Sequence, residues 1–186
     1  ERPRESERAV AASRIISIVG SKNTGKTTLI VALASELNRR GRRVMTIKHS
    51  HHPVEADRPG SDSWRHFHEG RAERVVLASS GQRIVFEHAA DDTGPVEIAR
   101  RYLDGADLVL AEGFKQAPIP KIEIYRPSVA AEPLYRASAP DADLWAAIVT
   151  DDYAFETDRP VIRFQDTMWL QLLAGLAWER AVEVPS

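Results

Sequence analysis

The sequence contains no cysteine, little excess charge of either sign and no long apolar run. The absence of cysteine excludes a disulfide-stapled secreted module, a cysteine-ligated zinc finger and thiol catalysis. With 25 Lys and Arg against 27 Asp and Glu, the formal charge is -2, which argues against broad nucleic-acid binding. Even the longest apolar runs, such as residues 29–34, are far shorter than the roughly 20 residues of a membrane-spanning helix. We therefore expect a cytoplasmic protein that has neither a nucleic acid nor a membrane as partner.

The apolar pattern predicts an α/β fold with a largely parallel sheet flanked by helices. Short apolar, β-branched segments predict strands at residues 14–19, 43–48, 75–77, 82–87, 107–112, 121–125 and 145–149. Helical periodicity predicts helices at residues 27–40, 62–69, 95–103 and 166–180. The strands at 75–77 and 82–87 flank a short turn, so they are expected to form an additional hairpin-like pair.

Two segments near the end of the chain carry more specific expectations. Residues 121–125 alternate in polarity, which predicts a half-exposed strand, and the prolines of residues 126–143 predict an irregular surface segment. In the final helix, four residues are expected to face the core: Trp169, Leu172, Leu173 and Leu176.

A complete phosphate-loop motif, G-x-x-x-x-G-K-[ST], follows the first strand. It consists of Gly20, Ser21, Lys22, Asn23, Thr24, Gly25, Lys26 and Thr27. Backbone N–H groups of such a loop bind phosphate oxygens, and the helix N-terminus adds a partial positive charge. Lys26 is placed to reach the β- and γ-phosphates, and the Thr27 hydroxyl to bind Mg²⁺. The motif therefore predicts a P-loop NTPase fold that binds a magnesium nucleotide.

The P-loop also sets the expected domain organisation. Residues 14–180 are predicted to form a single P-loop nucleotide-binding domain, which is within the usual size of one domain. The highly charged start of residues 1–13 predicts a disordered tail, and residues 181–186 are expected to form a second tail.

A magnesium nucleotide also needs an acid across the phosphates, usually at the end of a neighbouring buried strand. Glu112 has this position, whereas Asp107 begins the same strand and lies at the opposite edge of the sheet. Asp57 and Asp62 follow the second strand, where either can contact Mg²⁺ or an attacking water. Glu112 and Asp57 are therefore the candidate metal ligands beside Thr27, and Asp57 is the one candidate catalytic residue.

Three segments together resemble the molybdopterin-guanine dinucleotide biosynthesis adaptor protein B (MobB) family. They are the P-loop followed by Thr28, the histidine-rich segment 47–52 with residues 57–63 behind it, and the segment 110–115. The resemblance extends over residues 14–126 and is much more specific than the P-loop alone.

The resemblance implies a GTP-binding homodimer that assists the guanylyltransferase joining GMP to molybdopterin. It implies an adaptor rather than an efficient enzyme, with weak GTPase activity at most, and molybdopterin is a second candidate partner. The residues that it places around the phosphates are Lys48, His49, His51 and Asp57 on one side and Glu112, Gly113 and Lys115 on the other.

The residues alone leave the base preference open. The chain lacks the Asn-Lys-x-Asp signature of common GTPases and carries Asp151 and Asp152 after a later strand. Either carboxylate can bind the edge of guanine, but the residues alone leave adenine possible.

Two other functions compete with the adaptor. Five of the six histidines, 49, 51, 52, 66 and 68, lie close together in the chain, as in a metallochaperone-type GTPase for metalloenzyme maturation. His66 and His68 point to different faces of a helix, which disfavours a helical metal site. A P-loop small-molecule kinase is the other alternative, but its basic lid is not evident in the scattered arginines after the second strand.

Overall fold

The computed structural model describes residues 12–50, 54–89 and 93–185. Its residues form two compact units, the larger from residues up to 49 and from 94 onward, and the smaller from residues 50–93. The predicted single domain, residues 14–180, spans both units. Of the first predicted tail, residues 1–13, the part up to position 11 lies outside the described residues.

The described elements alternate between strands and helices along most of the chain. In chain order they are β1 (Arg14–Val19), α1 (Lys26–Arg39), β2 (Val44–Lys48), α2 (Asp62–His68), β3 (Arg74–Ser79), β4 (Gln82–Glu87), α3 (Pro95–Tyr102), β5 (Leu108–Glu112), β6 (Lys121–Tyr125), a 3-10 turn (Ala142–Leu144), β7 (Trp145–Thr150), β8 (Val161–Arg163), α4 (Trp169–Arg180) and β9 (Val182–Glu183). None of the described helices is long and apolar enough to cross a membrane.

Within the described part of the larger unit, seven strands form one sheet. Six follow the order β2-β5-β1-β6-β7-β8 and are parallel to their neighbours. The seventh, β9, pairs antiparallel with the start of β1. Because the six strands are parallel, their carboxyl ends lie along one edge of the sheet, where ligands of open α/β sheets bind.

Side chains that alternate along β1 build the core on both faces of this sheet. Ile16 and Ile18 pack in a cluster with Leu33 of α1 and with α4, whereas Ile15 packs in a second cluster with Ala99 of α3. The mostly parallel sheet flanked by helices confirms the predicted fold class.

The smaller unit contains α2 and the antiparallel pair β3–β4, with Val76 opposite Val85. The Ser61 hydroxyl caps α2 by accepting the backbone N–H of Trp64 at 3.2 Å. The Phe67 ring stacks on His88, with 4.0 Å between ring centroids. The additional strand pair predicted from the sequence is therefore present.

The prediction of a half-exposed strand at 121–125 is wrong, because every residue of β6 is buried. The polar side chains are buried with partners: Lys121 Nζ donates to two backbone carbonyl oxygens, and Glu123 accepts two backbone N–H groups. Those N–H groups belong to Leu134 and Tyr135 of the irregular segment 126–143. This segment covers the face that the alternation assigned to solvent.

The end of the chain also differs from expectation. α4 begins at Trp169 rather than at 166, and Leu172, predicted to face the core, is 58% exposed. β8 was not predicted, and the expected tail 181–186 contains β9. Val184 is buried and its N–H donates to the Ser13 carbonyl at 2.7 Å. This contact joins two residues that are distant in sequence, and it attaches the segment around Val184 to the start of β1.

Candidate functional site

The P-loop lies between β1 and α1, at the carboxyl edge of the sheet. A Cβ on Gly20 would lie 2.5 Å from the Ile124 carbonyl oxygen, so the loop can pass this close to β6 only with glycine. The Thr24 hydroxyl donates to the Ser21 carbonyl at 2.9 Å, and the Leu29 N–H donates to the Gly25 carbonyl as α1 begins. The loop is thus closed internally and presents the start of a helix, as the motif predicts.

Lys26 lies in the first turn of α1, and its Nζ donates to the Ser21 carbonyl at 2.7 Å. The side chain therefore folds back along the loop. Burial lowers the pKa of Lys26, the charge of Glu112 opposes this shift, and Lys115 and Lys48 add to it. Three lysines against one carboxylate leave a net positive charge at this edge, which suits a phosphate-bearing ligand.

The hydroxyl of Thr27 contacts the carboxylate of Glu112, which ends β5. It donates at 3.0 Å to Oε2 and at 3.1 Å to Oε1, and Lys48 Nζ lies 4.0 Å from Oε1. A hydroxyl and a carboxylate are oxygen ligands of the kind that Mg²⁺ binds together with phosphate and water. These two residues therefore fit a magnesium nucleotide.

The turn after β5 is fixed by β1 and by the residue after β2. Gly113 has φ +92°, and a Cβ there would lie 3.3 Å from His49 Cβ, so another residue would be both strained and crowded. Its carbonyl accepts a short hydrogen bond from the buried Ser17 hydroxyl. The His49 ring lies 4.8 Å from the Phe114 ring, centroid to centroid. These contacts set the path of the chain towards Lys115.

The structure brings most of the expected site residues to one edge of the larger unit. They are the P-loop residues Gly20, Ser21, Lys22, Asn23, Thr24 and Gly25, the helix residues Lys26, Thr27 and Thr28, and Lys48, His49, Glu112, Gly113 and Lys115. His51 lies outside the described residues.

Asp57 belongs to the smaller unit. Its Oδ1 accepts the Ser61 hydroxyl at 2.9 Å and the Arg58 backbone N–H at 2.8 Å. Since Ser61 caps α2, these contacts organise the start of that helix. The catalytic and metal-binding roles of Asp57 stay predictions.

The described histidines are divided between the units, with His49 in the larger and His66, His68 and His88 in the smaller. Among residues 12–50, 54–89 and 93–185, no group of three or more His, Asp or Glu side chains is arranged to hold a metal ion.

Sequence reasoning missed Arg126, which directly follows β6. Its Nε donates to the Thr24 carbonyl of the P-loop at 2.9 Å, and its Nη1 pairs with Asp151 after β7. The guanidinium also lies over the Phe164 ring, 4.7 Å from the centroid. The available signal was its position at the carboxyl end of the strand next to β1, where side chains project towards bound ligands.

A family model matches the part of the chain that carries this site. The model described as "Molybdopterin guanine dinucleotide synthesis protein B" matches residues 15–151, which include the P-loop, Glu112 and Arg126. The chain belongs to the MobB family. This confirms the resemblance stated from the sequence.

Curated relatives of this MobB-family chain are called molybdopterin-guanine dinucleotide biosynthesis adapter proteins. The protein of Haemophilus influenzae is 36% identical over 149 residues, which cover 80% of each chain. The protein of Escherichia coli is 32% identical over 114 residues, covering 60% of this chain and 65% of its own.

Solved MobB structures share the fold. A crystal structure of molybdopterin-guanine biosynthesis protein B has a TM-score of 0.62 and 26% identity, covering 87% of this chain and 95% of its own. A MobB homologue from Bacillus stearothermophilus has a TM-score of 0.62 and covers 89% of this chain and 99% of its own. At 21% identity, the latter supports the fold alone.

Proposed function

We propose that the chain is a GTP-binding adaptor that assists the guanylyltransferase attaching GMP to molybdopterin, with weak GTPase activity of its own. The observation that carries the proposal is the Thr27–Glu112 contact beside the P-loop lysine, in a member of the MobB family. The curated relatives named as adapter proteins support the adaptor role.

The phosphate part of the proposal rests on charge and backbone geometry. The P-loop N–H groups and the N-terminus of α1 form an anion site, and Lys26 replaces its bond to the Ser21 carbonyl with one to a phosphate oxygen. The exposed Lys48 and Lys115 lie at the same edge and favour the remaining negative charge. Together these weak electrostatic contacts form one phosphate-binding surface.

The metal part assigns Thr27 and Glu112 to Mg²⁺. Bound there, Mg²⁺ would neutralise charge on the β- and γ-phosphates. In the described structure the two side chains already face each other, and the Thr27 hydroxyl and the Glu112 carboxylate would together hold the metal. The donor set is small, as expected for a metal that keeps phosphate and water ligands.

An adaptor needs binding energy and proximity rather than its own chemistry. Holding GTP beside the guanylyltransferase raises the local nucleotide concentration, and a pterin contact would position the second substrate. We propose that the chain acts in the cytoplasm as a homodimer. Sedimentation equilibrium tests the dimer against the 20.7 kDa of one chain.

A thermal-shift series with GTP, ATP and their Mg²⁺ complexes tests nucleotide binding. A ligand at a hundred times its Kd adds about 2.7 kcal/mol to the free energy of unfolding, which is readily measured. We expect Mg²⁺–GTP to stabilise the wild-type chain and to lose this effect on Lys26→Ala. Equal melting temperatures with and without every nucleotide would refute the proposal.

A further inference from the structure

The loops after β6, β7 and β8 meet beside the P-loop. Arg126 donates to the Thr24 carbonyl and pairs with Asp151, and its guanidinium lies over Phe164. The Gln165 amide donates to the Asp151 carbonyl at 2.9 Å. Asp151 is therefore held from two neighbouring loops, and Arg126 connects its carboxylate directly to the P-loop.

The Arg126–Asp151 pair remains accessible. Each side chain is 32% exposed, so both are open to contact from outside the protein. The ion pair uses Asp151 Oδ2, and a carboxylate has further acceptor sites on its second oxygen. The carboxylate is thus fixed in direction but retains the capacity to accept from a ligand.

The neighbouring Asp152 has its partners within its own loop. Its Oδ1 accepts the Ala154 N–H at 2.9 Å. Burial raises the pKa of Tyr125, and the charge of Asp152 adds to this shift, as expected for neighbours. Tyr125 alternates with Ile124, whose side chain approaches Gly25 of the P-loop. The charge of Asp152 therefore acts on Tyr125, whereas that of Asp151 is paired with Arg126 beside the P-loop.

We propose that Asp151, held by Arg126, reads the base of the bound nucleotide and selects guanine. The inference rests on the proposed function, because it needs a nucleotide on the P-loop. Guanine presents N1–H and a 2-amino group side by side, and both donate to a carboxylate. Adenine presents the N1 lone pair at the same place, and this lone pair repels the carboxylate.

Arg126 is a positioning residue in this arrangement. Its bond to Thr24 fixes the distance between the phosphates and the acid that reads the base, and its planar guanidinium offers a surface on which a purine can stack. The Phe164 ring supports the opposite face of the guanidinium.

Calorimetric titration of Mg²⁺ complexes of GTP, ITP, ATP and XTP tests the assignment on the full chain. For the wild type we expect GTP to bind more tightly than ITP, which lacks the 2-amino group, and ATP and XTP to bind weakly. Asp151→Asn should weaken GTP binding about tenfold or more and strengthen XTP binding, since an amide donates to the 2-oxo group of xanthine. The matched control, Asp152→Asn, should keep the wild-type order.

The outcomes separate this inference from the proposed function. A gain of XTP binding in Asp152→Asn rather than Asp151→Asn would overturn the assignment, as would an unchanged order in both variants. If Asp151→Asn fails to fold, equal wild-type affinity for GTP and ITP or for GTP and ATP overturns it instead. A wild type that binds none of the four nucleotides removes the proposed function itself, and the base assignment with it.

Discussion

The hydroxyl of Thr27 lies 3.0 and 3.1 Å from the two carboxylate oxygens of Glu112, although 85 positions separate them in the chain. The sheet brings them together, because Ile18 of β1 is in register with Glu112 of β5. α1 starts just beyond the end of β1, so its first turn faces the end of β5. The proposed metal site is therefore set by strand register.

Glu112→Gln should flatten the Mg²⁺ dependence of GTP binding. The amide keeps the shape of the side chain but removes the negative charge that favours the metal. The affinity for metal-free nucleotide should change little. Titrations of GTP at increasing Mg²⁺ concentration measure the effect. The control is Asp107→Asn, because Asp107 precedes β5 at the opposite edge and accepts the Arg43 N–H. If Glu112→Gln keeps the wild-type Mg²⁺ dependence, Glu112 has a structural role and does not bind the metal.

Lys26→Ala should weaken nucleotide binding roughly ten- to a hundredfold, because a hydrogen bond to a charged group contributes about 1.5–3 kcal/mol. Lys22→Ala is the matched control, since its exposed side chain lies in the same loop and alanine keeps the backbone N–H. Calorimetry with Mg²⁺–GTP measures both. Equal affinities for the two variants would contradict a special role of Lys26.

The sequence was most informative where the signal is contiguous. The P-loop motif, the strand before it and the helix after it are local in the chain, so their arrangement follows from the motif and periodicity. Glu112 could be placed because a buried strand ending in an acid is also a local pattern.

Burial that depends on distant segments was not predictable in the same way. The pattern of β6 predicts a half-exposed strand because Lys121 and Glu123 alternate with isoleucines, but both are buried, and Glu123 accepts hydrogen bonds from the segment 126–143. The pairing of Arg126 with Asp151 joins two loops 25 positions apart and has no motif. Such contacts arise from sheet order, which periodicity does not specify.

Glu123 should make stability depend on pH. Burial raises its pKa, and the hydrogen bonds from the Leu134 and Tyr135 N–H groups oppose the shift. A folded-state pKa above the unfolded value means that the contribution of this group to stability is complete below about pH 4.3. It is then lost as pH rises through the folded-state pKa.

Glu123→Gln removes this titration. The Tm of the variant minus that of the wild type should therefore increase when pH is raised from about 4 to about 7. Scanning calorimetry measures the difference, and Glu179→Gln at an exposed position of α4 is the control. A difference that stays constant with pH, or falls, would show that Glu123 does not titrate as its burial implies.

Val184→Ala should lower the free energy of unfolding by about 1–2 kcal/mol, because it removes two buried carbon atoms. Val184 is 8% exposed, whereas Val182 in β9 is 41% exposed, so Val182→Ala should cost clearly less. Urea denaturation of both variants measures the difference. If both substitutions leave the free energy of unfolding nearly unchanged, residues 181–186 do not contribute to the core and behave as a tail.

The chain alone should hydrolyse GTP slowly, below the typical enzyme turnovers of about 1–10³ per second. In the described part of the larger unit, the Glu112 carboxylate is engaged by Thr27 and lies beside Lys48, which leaves it poorly placed to orient an attacking water. Activity should instead appear through the partner. Adding the chain to the guanylyltransferase with molybdopterin and limiting GTP should increase dinucleotide cofactor formation, and Lys26→Ala should lose most of that increase. Rapid phosphoryl transfer to a small molecule by the chain alone would favour a kinase, and no stimulation at any GTP concentration would contradict the adaptor.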